Sequence, residues 1–178
     1  MIRLLLLRHA KSAWDDQSLP DIARPLNARG QRAGPLMGRY LRDQGLFPDR
    51  ILCSSSQRTR ETLAGLLPFL RRSSEITITE SLYRESEDTY LPEIRERGGT
   101  APTLLLIGHN PAMQETALDC VGTGEKAARA ALEEKFPTAA LAIVTFDADD
   151  WSTVTSRSGT LKDFVRPRDL EAGEQTSD

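Results

Sequence analysis

The stretches Leu4-Leu5-Leu6-Leu7-Arg8-His9 and Leu104-Leu105-Leu106-Ile107-Gly108-His109 follow one pattern, in which an unbroken run of Leu or Ile leads within two residues to a histidine. Strands that are apolar at every position are typical of a parallel sheet with helices on both faces. Each histidine then follows the carboxyl end of such a strand, where open α/β sheets bind their ligands. The two stretches therefore predict central strands of an α/β fold and a site at one edge of its sheet.

The rest of the chain alternates between short apolar runs and helical patterns. The apolar runs predict strands at Ile2–Leu7, Arg50–Ser54, Ile76–Thr79, Thr103–Ile107, Ala139–Thr145 and Trp151–Thr155. Apolar stripes predict helices over 33–41, 62–67 and 113–120, with weaker patterns near 88–97 and 127–135. This alternation implies an α/β three-layer sandwich, in which helices cover both faces of a mostly parallel central sheet and there is no cap domain.

Two helices carry recognisable signals at their ends. Asn27 is suited to cap the start of the first helix and Gly45 its end, whereas Gly34-Pro35 should kink this helix or delay its beginning. After the second histidine, Asn110 is expected as an N-cap and Pro111 as the first helical residue. The free N–H groups of that helix would then point toward the predicted site.

The chain shows no internal repeat or linker, so we expect a single domain over residues 1–170. Residues from about 160 onward are polar, and we expect them to pack partly through Leu161, Phe164 and Val165 and to fray after Leu170. Residues 171–178 are therefore predicted to be a polar C-terminal tail.

Charge and composition exclude several classes of protein. The 178 residues carry a net charge of −3, although residues 1–60 hold 11 Lys/Arg against 5 Asp/Glu. A nucleic-acid-binding protein would normally be basic overall, and no apolar run is long enough to span a membrane. Cys53 and Cys120 are too few for a disulfide framework or a zinc cluster. We therefore expect a cytoplasmic protein that binds neither nucleic acid nor a membrane.

Four side chains are predicted to meet at the edge of the sheet: Arg8, His9, Arg58 and His109. Arg58 lies in the first turn of the helix that follows Arg50–Ser54, where its charge opposes the helix dipole, as expected of a side chain positioned for a ligand. Guanidinium groups match phosphate oxygens, and a neutral imidazole can attack phosphorus to form a phosphohistidine intermediate. Such a site needs neither a metal nor a cofactor.

Two other interpretations remain open for these residues. A histidine beside an apolar strand is often only a structural side chain. Two histidines could also bind a metal with Asp15, Asp16 or Cys53, but catalytic zinc usually takes three ligands at a characteristic spacing, and that spacing is not found here.

Several motifs resemble those of the histidine phosphatase (phosphoglycerate-mutase-like) superfamily, and they occur in the same order. The resemblance covers residues 2–170, and its motifs are Leu7–Trp14, Arg24–Gly30, Ser54–Thr62 and Gly108–Pro111. The short length, the Ala10-Lys11-Ser12 variant and the ending Phe164–Arg168 are most similar to the small bacterial phosphohistidine phosphatases. Ala10 in place of the usual Gly, and Asp15 in place of a frequent Asn, depart from the pattern.

The resemblance implies roles for individual residues. His9 would be the phosphorylated nucleophile, Arg8, Arg58 and His109 would form the phosphate pocket, and Ser12 is a candidate substrate contact. Ester-cleaving members use a carboxylic acid to protonate the leaving group. Arg84 stands where that acid would align, so Glu85 is the candidate general acid.

The choice of substrate depends on whether the site contains a general acid. Without an acid, the P–N bond of phosphohistidine is favoured, because imidazole leaves more readily than an alkoxide. The preferred interpretation is a phosphatase that acts on phosphohistidine of a signalling protein and releases inorganic phosphate. The alternatives are a general phosphomonoesterase for small phosphate esters and a non-catalytic module that binds a phosphorylated partner.

Overall fold

The computed structural model describes residues 1–85 and 88–175. Within them one sheet contains the strands β1 (Ile2–Arg8), β2 (Arg50–Ser54), β3 (Glu75–Thr79), β4 (Thr103–Gly108), β5 (Val121–Gly124), β6 (Leu141–Phe146) and β7 (Gly159–Val165). The helices are α1 (Ala28–Asp43), α2 (Gln57–Leu66), α3 (Ser81–Arg84), α4 (Leu91–Arg97), α5 (Ala112–Cys120), α6 (Lys126–Glu134) and α7 (Pro167–Gln175). Short 3₁₀ turns lie at Asp21–Ala23, Leu67–Phe69 and Trp151–Thr153.

The sheet is mostly parallel, as the sequence predicts. Its strand order is β3-β2-β4-β1-β6-β7-β5, and β6 runs antiparallel to its two neighbours while the other pairs are parallel. In the register of β1 and β4, Leu7 lies beside Ile107 and Arg8 beside Gly108. The two strands therefore end side by side, and the histidines that follow them emerge next to each other.

Helices cover both faces of this sheet and form the three layers that the sequence predicts. Leu4 and Leu6 of β1 belong to the core under α4, α5 and α6, whereas Leu5 and Leu7 belong to the core under α1 and α2. Because successive side chains point to opposite faces, a strand buried on both sides must be apolar at every position. Each of these leucines is fully buried and stabilises the fold by about 2 kcal/mol.

The first helix, α1, lies between Asn27 and Gly45 as predicted, but Pro35 does not delay its beginning. The Asn27 side chain accepts a hydrogen bond from the Gly30 N–H, so the helix begins at Ala28 and the predicted delay is wrong. Gly45 follows the helix with a φ of +65°, a conformation that glycine adopts without strain. Gly34 and Pro35 serve close packing instead: a Cβ at Gly65 of α2 would lie 3.1 Å from the Gly34 Cα.

The C-terminal part corrects three predictions. Trp151–Thr155 is not a strand: Trp151 is buried in a 3₁₀ turn, where its indole N–H donates to the Ala101 carbonyl at 2.8 Å. The last strand is Gly159–Val165, which pairs with β6 along the segment expected to be a tail. The helix α7 continues past Leu170 to Gln175, where fraying was expected. Whether 171–178 acts as a tail remains a prediction, and residues 176–178 lie outside the described residues.

Two short elements were not predicted. The strand β5 contains two glycines and no apolar alternation, and its place in the sheet depends on pairing with β7. The helix α3 has only four residues, too few for a periodic pattern. Among the described helices, none is both long and apolar enough to cross a lipid bilayer.

Candidate active site

His9 lies immediately after β1, with only 7% of its surface exposed. Its backbone N–H donates to the Gly108 carbonyl at 3.0 Å, which joins the ends of β1 and β4. The ring atom Nδ1 is 2.7 Å from the Ala10 carbonyl oxygen. Because a carbonyl oxygen only accepts hydrogen bonds, Nδ1 carries the proton and Nε2 carries the lone pair. The nitrogen that could attack a phosphorus atom is therefore determined by the backbone.

His109 follows β4 and is held between two side chains. The Nη2 atom of Arg58 lies 3.3 Å from Nδ1 of His109, and the Ser54 hydroxyl lies 2.7 Å from Nε2. A guanidinium only donates, so Nδ1 accepts and Nε2 donates to Ser54. The rings of His9 and His109 are 5.3 Å apart between centroids. Since the Ser54 hydroxyl can both donate and accept, His109 can also adopt the tautomer that presents an Nδ1–H to an anion.

Both histidines are held in the neutral form. Burial lowers the pKa of His9 to about 3, against the effect of the bond to Ala10, and His109, Arg58 and Arg8 lower it further. Burial and then the charge of Arg58 lower the pKa of His109 to about 3, although Asp21 opposes this change. An imidazole that stays unprotonated near neutral pH is what nucleophilic attack requires.

Arg8 and Arg58 supply positive charge beside the histidines. Burial and the neighbouring charge of Arg58 both lower the pKa of Arg8, so the two guanidinium groups lie near each other. Arg8 donates from Nη1 to the Phe136 carbonyl at 2.9 Å. In the described part of the chain, the buried Nε atoms of both arginines have no hydrogen-bond partner. Two close cations with unused donors favour an anion as ligand. The predicted meeting of Arg8, His9, Arg58 and His109 is thus present in the structure.

Asp21 and Tyr83 also belong to this cluster, although sequence reasoning did not identify them. Arg58 donates from Nη1 to the Asp21 carbonyl at 2.8 Å and from Nη2 to the Asp21 carboxylate at 3.0 Å. The Tyr83 hydroxyl donates to the same carboxylate at 2.9 Å, and the Tyr83 ring lies edge-on to His109. Partial burial opposes ionisation of Asp21, but the bond from Tyr83 and the charge of Arg58 outweigh it and lower the pKa to about 2.

Two buried hydroxyl groups link the site to the scaffold. Thr62 of α2 accepts from the Ala10 N–H at 3.0 Å and donates to the Arg58 carbonyl at 2.7 Å, which ties the end of β1 to the helix that carries Arg58. The Tyr90 hydroxyl accepts from the His109 N–H at 3.1 Å and donates to the Leu82 carbonyl at 2.9 Å. Gly108 leaves room for Tyr90, since a Cβ there would lie 2.7 Å from its ring.

Within the described residues, no hydrogen bond joins the side chain of Ser12 or Glu85 directly to Arg8, His9, Arg58 or His109. The buried Ser12 hydroxyl accepts a hydrogen bond from Arg24 at 3.0 Å, and Arg24 in turn pairs with Asp21. Glu85 is exposed at the end of α3, and only its backbone takes part in the recorded hydrogen bonds. A substrate contact by Ser12 and an acid role for Glu85 both remain predictions.

The residue after His109 does not cap the next helix. Helix α5 begins at Ala112 with Pro111 at the N-cap position, so the prediction that Asn110 is the N-cap is wrong. The Asn110 amide instead donates to the Phe136 carbonyl at 3.2 Å, the oxygen that also accepts from Arg8. Asn110 therefore helps to hold the loop beside Arg8.

The described residues contain no group of three or more His, Cys, Asp or Glu side chains arranged to hold a metal ion. Cys53, which the sequence left open as a ligand, is buried, and burial raises the pKa of its thiol to about 12. Asp15 and Asp16 are exposed in the loop after Trp14.

Comparisons with known proteins relate the chain to one superfamily. Residues 4–87 match the model of the histidine phosphatase superfamily (branch 1). An uncharacterised protein of Mycobacterium tuberculosis (strain H37Rv) is 34% identical over 166 residues, which cover 91% of this chain and 100% of that protein. The SixA protein of Agrobacterium tumefaciens, which is proposed to be a phosphohistidine phosphatase, is 30% identical to this chain. Its structure matches with a TM-score of 0.74, over 93% of this chain and 98% of the other. SixA of Nakamurella multipartitia is 25% identical with a TM-score of 0.77, over 93% and 96%.

Proposed function

Because this chain belongs to the histidine phosphatase superfamily and is a phosphatase of that type, we propose that it hydrolyses phosphohistidine on a protein substrate. The observation that carries the proposal is the state of His9, whose Nε2 lone pair is free beside Arg58 and His109. The relatives named as phosphohistidine phosphatases support the same substrate class.

The proposed reaction has two steps. In the first, His9 Nε2 attacks phosphorus, the P–N bond to the substrate imidazole breaks, and that imidazole leaves with the bond's electron pair. Arg8 and Arg58 balance the charge on the equatorial oxygens, and His109 donates a hydrogen bond from Nδ1. In the second step, water attacks the phosphoryl group on His9, inorganic phosphate leaves, and Nε2 regains its lone pair.

The carboxylates around the site support a P–N bond rather than a phosphate ester. Asp21 contacts Arg58, but its pKa of about 2 makes it a poor proton donor at neutral pH. Glu85 is exposed at the end of α3. An alkoxide leaving group needs a proton in the transition state, whereas an imidazole that is protonated on its second nitrogen leaves as a neutral molecule. A substrate with a good leaving group therefore suits this site.

The proposal includes the setting of the reaction. The two guanidinium groups perform the charge balance that a metal ion would supply, so we expect no metal or cofactor requirement. We extend the proposal to a role in signal transduction and to the cytoplasm, since the free thiols of Cys53 and Cys120 fit a reducing compartment.

Competing substrates test the proposal. Phosphohistidine peptide, phosphoserine peptide and p-nitrophenyl phosphate are given to the wild type, to His9→Ala and to Glu85→Gln, with and without EDTA. We expect kcat/KM on phosphohistidine to exceed that on phosphoserine by about 10²-fold or more, because the alkoxide leaving group needs a proton that the ionised Asp21 does not supply. His9→Ala should abolish turnover, and EDTA should change nothing. Faster hydrolysis of the phosphoserine peptide, with a large loss in Glu85→Gln, would identify a phosphomonoesterase instead.

A further inference from the structure

A second group of basic side chains surrounds a cavity beside the catalytic edge of the sheet. The cavity has a volume of about 300 Å³, and its lining includes Arg29, Lys135, Arg166 and Arg168. We call these four residues and the cavity between them the basic groove. Glu134 is the carboxylate in its lining. The basic groove is thus dominated by positive charge in a protein whose net charge is −3.

The sheet places the basic groove at the same end of its strands as His9. Leu7 of β1 pairs with Leu141 of β6, and Leu141 pairs with Val165 of β7. Strands β1 and β7 therefore run in the same direction and end side by side, with β6 between them, and Arg166 follows the end of β7. Neighbouring strands are about 4.8 Å apart, which puts the groove about 10 Å from the catalytic histidine. The carboxyl ends of β1 and β7 therefore carry the site and the basic groove, respectively.

Two hydrogen bonds join the segments that line the groove to the segments around His9. The Phe136 carbonyl, one residue after Lys135, accepts the hydrogen bond from Arg8 Nη1. On the other side, the Asn27 N–H donates to the Lys11 carbonyl, two residues after His9, and Arg29 lies in the first turn of the helix that begins there. The groove and the site are therefore close neighbours in the fold.

Three of the groove's four basic side chains form no hydrogen bond or ion pair within residues 1–85 and 88–175: Arg29, Lys135 and Arg168, all exposed. Arg166 differs, because it is bound to Asp169 at 2.8 Å and helps to hold the start of α7. The hydrogen bond from Arg166 and, with a smaller effect, the charge of Arg168 lower the pKa of Asp169. Basic side chains gathered around one cavity attract an acidic ligand.

We propose that the basic groove binds an acidic segment of the phosphorylated protein substrate, about three residues from the phosphohistidine. The spacing follows from the distance of about 10 Å and from the rise of about 3.3 Å per extended residue. A free phosphate or a small phosphoramidate at His9 cannot reach the groove, so the groove would separate protein substrates from small ones. The inference rests on the proposed phosphohistidine activity and extends it to the recognition of the protein that carries it.

Charge reversal tests the groove. In Arg29→Glu/Arg168→Glu, both new carboxylates lie in the first turns of helices, where negative charge is favourable, so we expect the variant to fold. Arg29→Gln/Arg168→Gln removes the charges without reversing them. Arg71→Glu/Arg72→Glu is the matched control. These exposed arginines precede β3, which lies on the other side of β1 in the sheet from β7. The probes are two phosphohistidine peptides, one with four acidic residues beginning three positions from the phosphohistidine and one with serines there, together with free phosphohistidine.

We expect the wild type to favour the acidic peptide in kcat/KM, with a preference that declines as salt rises. The reversal should raise KM for the acidic peptide about tenfold, the glutamine variant should raise it less, and the control should match the wild type. Free phosphohistidine should be hydrolysed equally by all of them. A wild type that does not distinguish the peptides, or a preference that survives the reversal, overturns the proposal.

Binding separates this inference from the proposed activity. Fluorescence anisotropy with the unphosphorylated acidic and serine peptides needs no turnover, and it is measured on His9→Ala protein with and without the reversal. Selective binding of the acidic peptide that the reversal abolishes supports the groove even if the phosphohistidine peptides are not hydrolysed, an outcome that would contradict only the proposed function. Equal binding of both peptides overturns the groove even if hydrolysis is fast.

Discussion

The two histidines differ in which ring nitrogen the protein leaves available. The Ala10 carbonyl accepts a hydrogen bond from Nδ1–H of His9 and leaves Nε2 as the base, whereas Arg58 donates to Nδ1 of His109 and Ser54 accepts from its Nε2. One ring is thus prepared to attack, and the other can become a donor once an anion replaces Asp21 on Arg58. The assignment of separate roles to two identical side chains follows from these partners.

Asp21 competes with phosphate for Arg58, and its removal should therefore strengthen anion binding. In Asp21→Asn the negative charge at 3.0 Å from Arg58 is lost. We expect inorganic phosphate, measured as a competitive inhibitor or by calorimetry, to bind about tenfold more tightly. Asp16→Asn is the control, since Asp16 is fully exposed in the same loop and bonds to Ser18. Unchanged or weaker phosphate binding in Asp21→Asn would show that Asp21 does not compete.

At the scale of elements, the site depends on where strands end and how helices are attached to them. The ends of β1 and β4 are joined by the bond from His9 to Gly108, and Thr62 fastens α2 to the end of β1. Tyr90 fastens the start of α4 to the end of β4 and to α3. The catalytic candidates are therefore mounted on a rigid framework, while Asp21 belongs to a short 3₁₀ turn in the loop before α1.

Tyr90→Phe should destabilise the protein because it leaves two buried backbone groups without a partner. The His109 N–H loses its acceptor and the Leu82 carbonyl loses its donor. We expect the free energy of unfolding, measured in urea, to fall by about 1–3 kcal/mol, with a lower kcat as His109 loosens. Tyr40→Phe provides the comparison, because its hydroxyl bonds to the exposed Asp163 at 3.3 Å and its loss should cost less than about 0.5 kcal/mol. Equal stability of the two variants would contradict this role of Tyr90.

At the scale of the whole molecule, burying neutral histidines couples stability to pH. His9 and His109 have pKa values of about 3 in the folded protein against an ordinary value of 6.5. Between these values the unfolded chain binds protons that the folded chain does not, so acid favours unfolding. Asp21, with a pKa of about 2 against 3.8, acts in the same direction but only below about pH 4.

We therefore predict that the free energy of unfolding falls as the pH decreases from 6.5 to 5. Each histidine should contribute about 0.7 kcal/mol per pH unit at pH 6.5, rising to about 1.3 kcal/mol per pH unit at pH 5. Urea unfolding at several pH values measures the slope, and His9→Gln should reduce it by about half because one of the two titrating groups is gone. A slope that is the same in His9→Gln and in the wild type would contradict the neutral, buried state of His9.

The sequence was sufficient for the parts of the molecule that depend on local patterns. The leucine runs of β1 and β4 predict strands buried on both faces, and each run ends near a histidine, so the positions of His9 and His109 follow directly. Asp21 and Tyr83 could not be found this way. They reach Arg58 and His109 from a loop and from a four-residue helix, and neither segment has a periodic pattern.

The errors also have physical causes. Trp151–Thr155 is apolar enough for a strand, but the Trp151 side chain fills a place in the core and bonds to Ala101, which requires a turn. Residues 159–165 contain exposed Lys162 and Asp163 and therefore resemble a polar tail. Their pairing with β6 and β5, which no local pattern reveals, makes them a strand.

Trapping of the covalent intermediate tests the central claim most directly. Single-turnover mixing of the protein with a phosphohistidine peptide, quenched in base and followed by peptide mass spectrometry and ³¹P NMR, should show a phosphoryl group that is labile in acid and attached to Nε2 of His9. The same experiment with His9→Gln should show no such group and no release of phosphate. A phosphoryl group on another residue, or phosphate release by His9→Gln at the wild-type rate, would contradict the account.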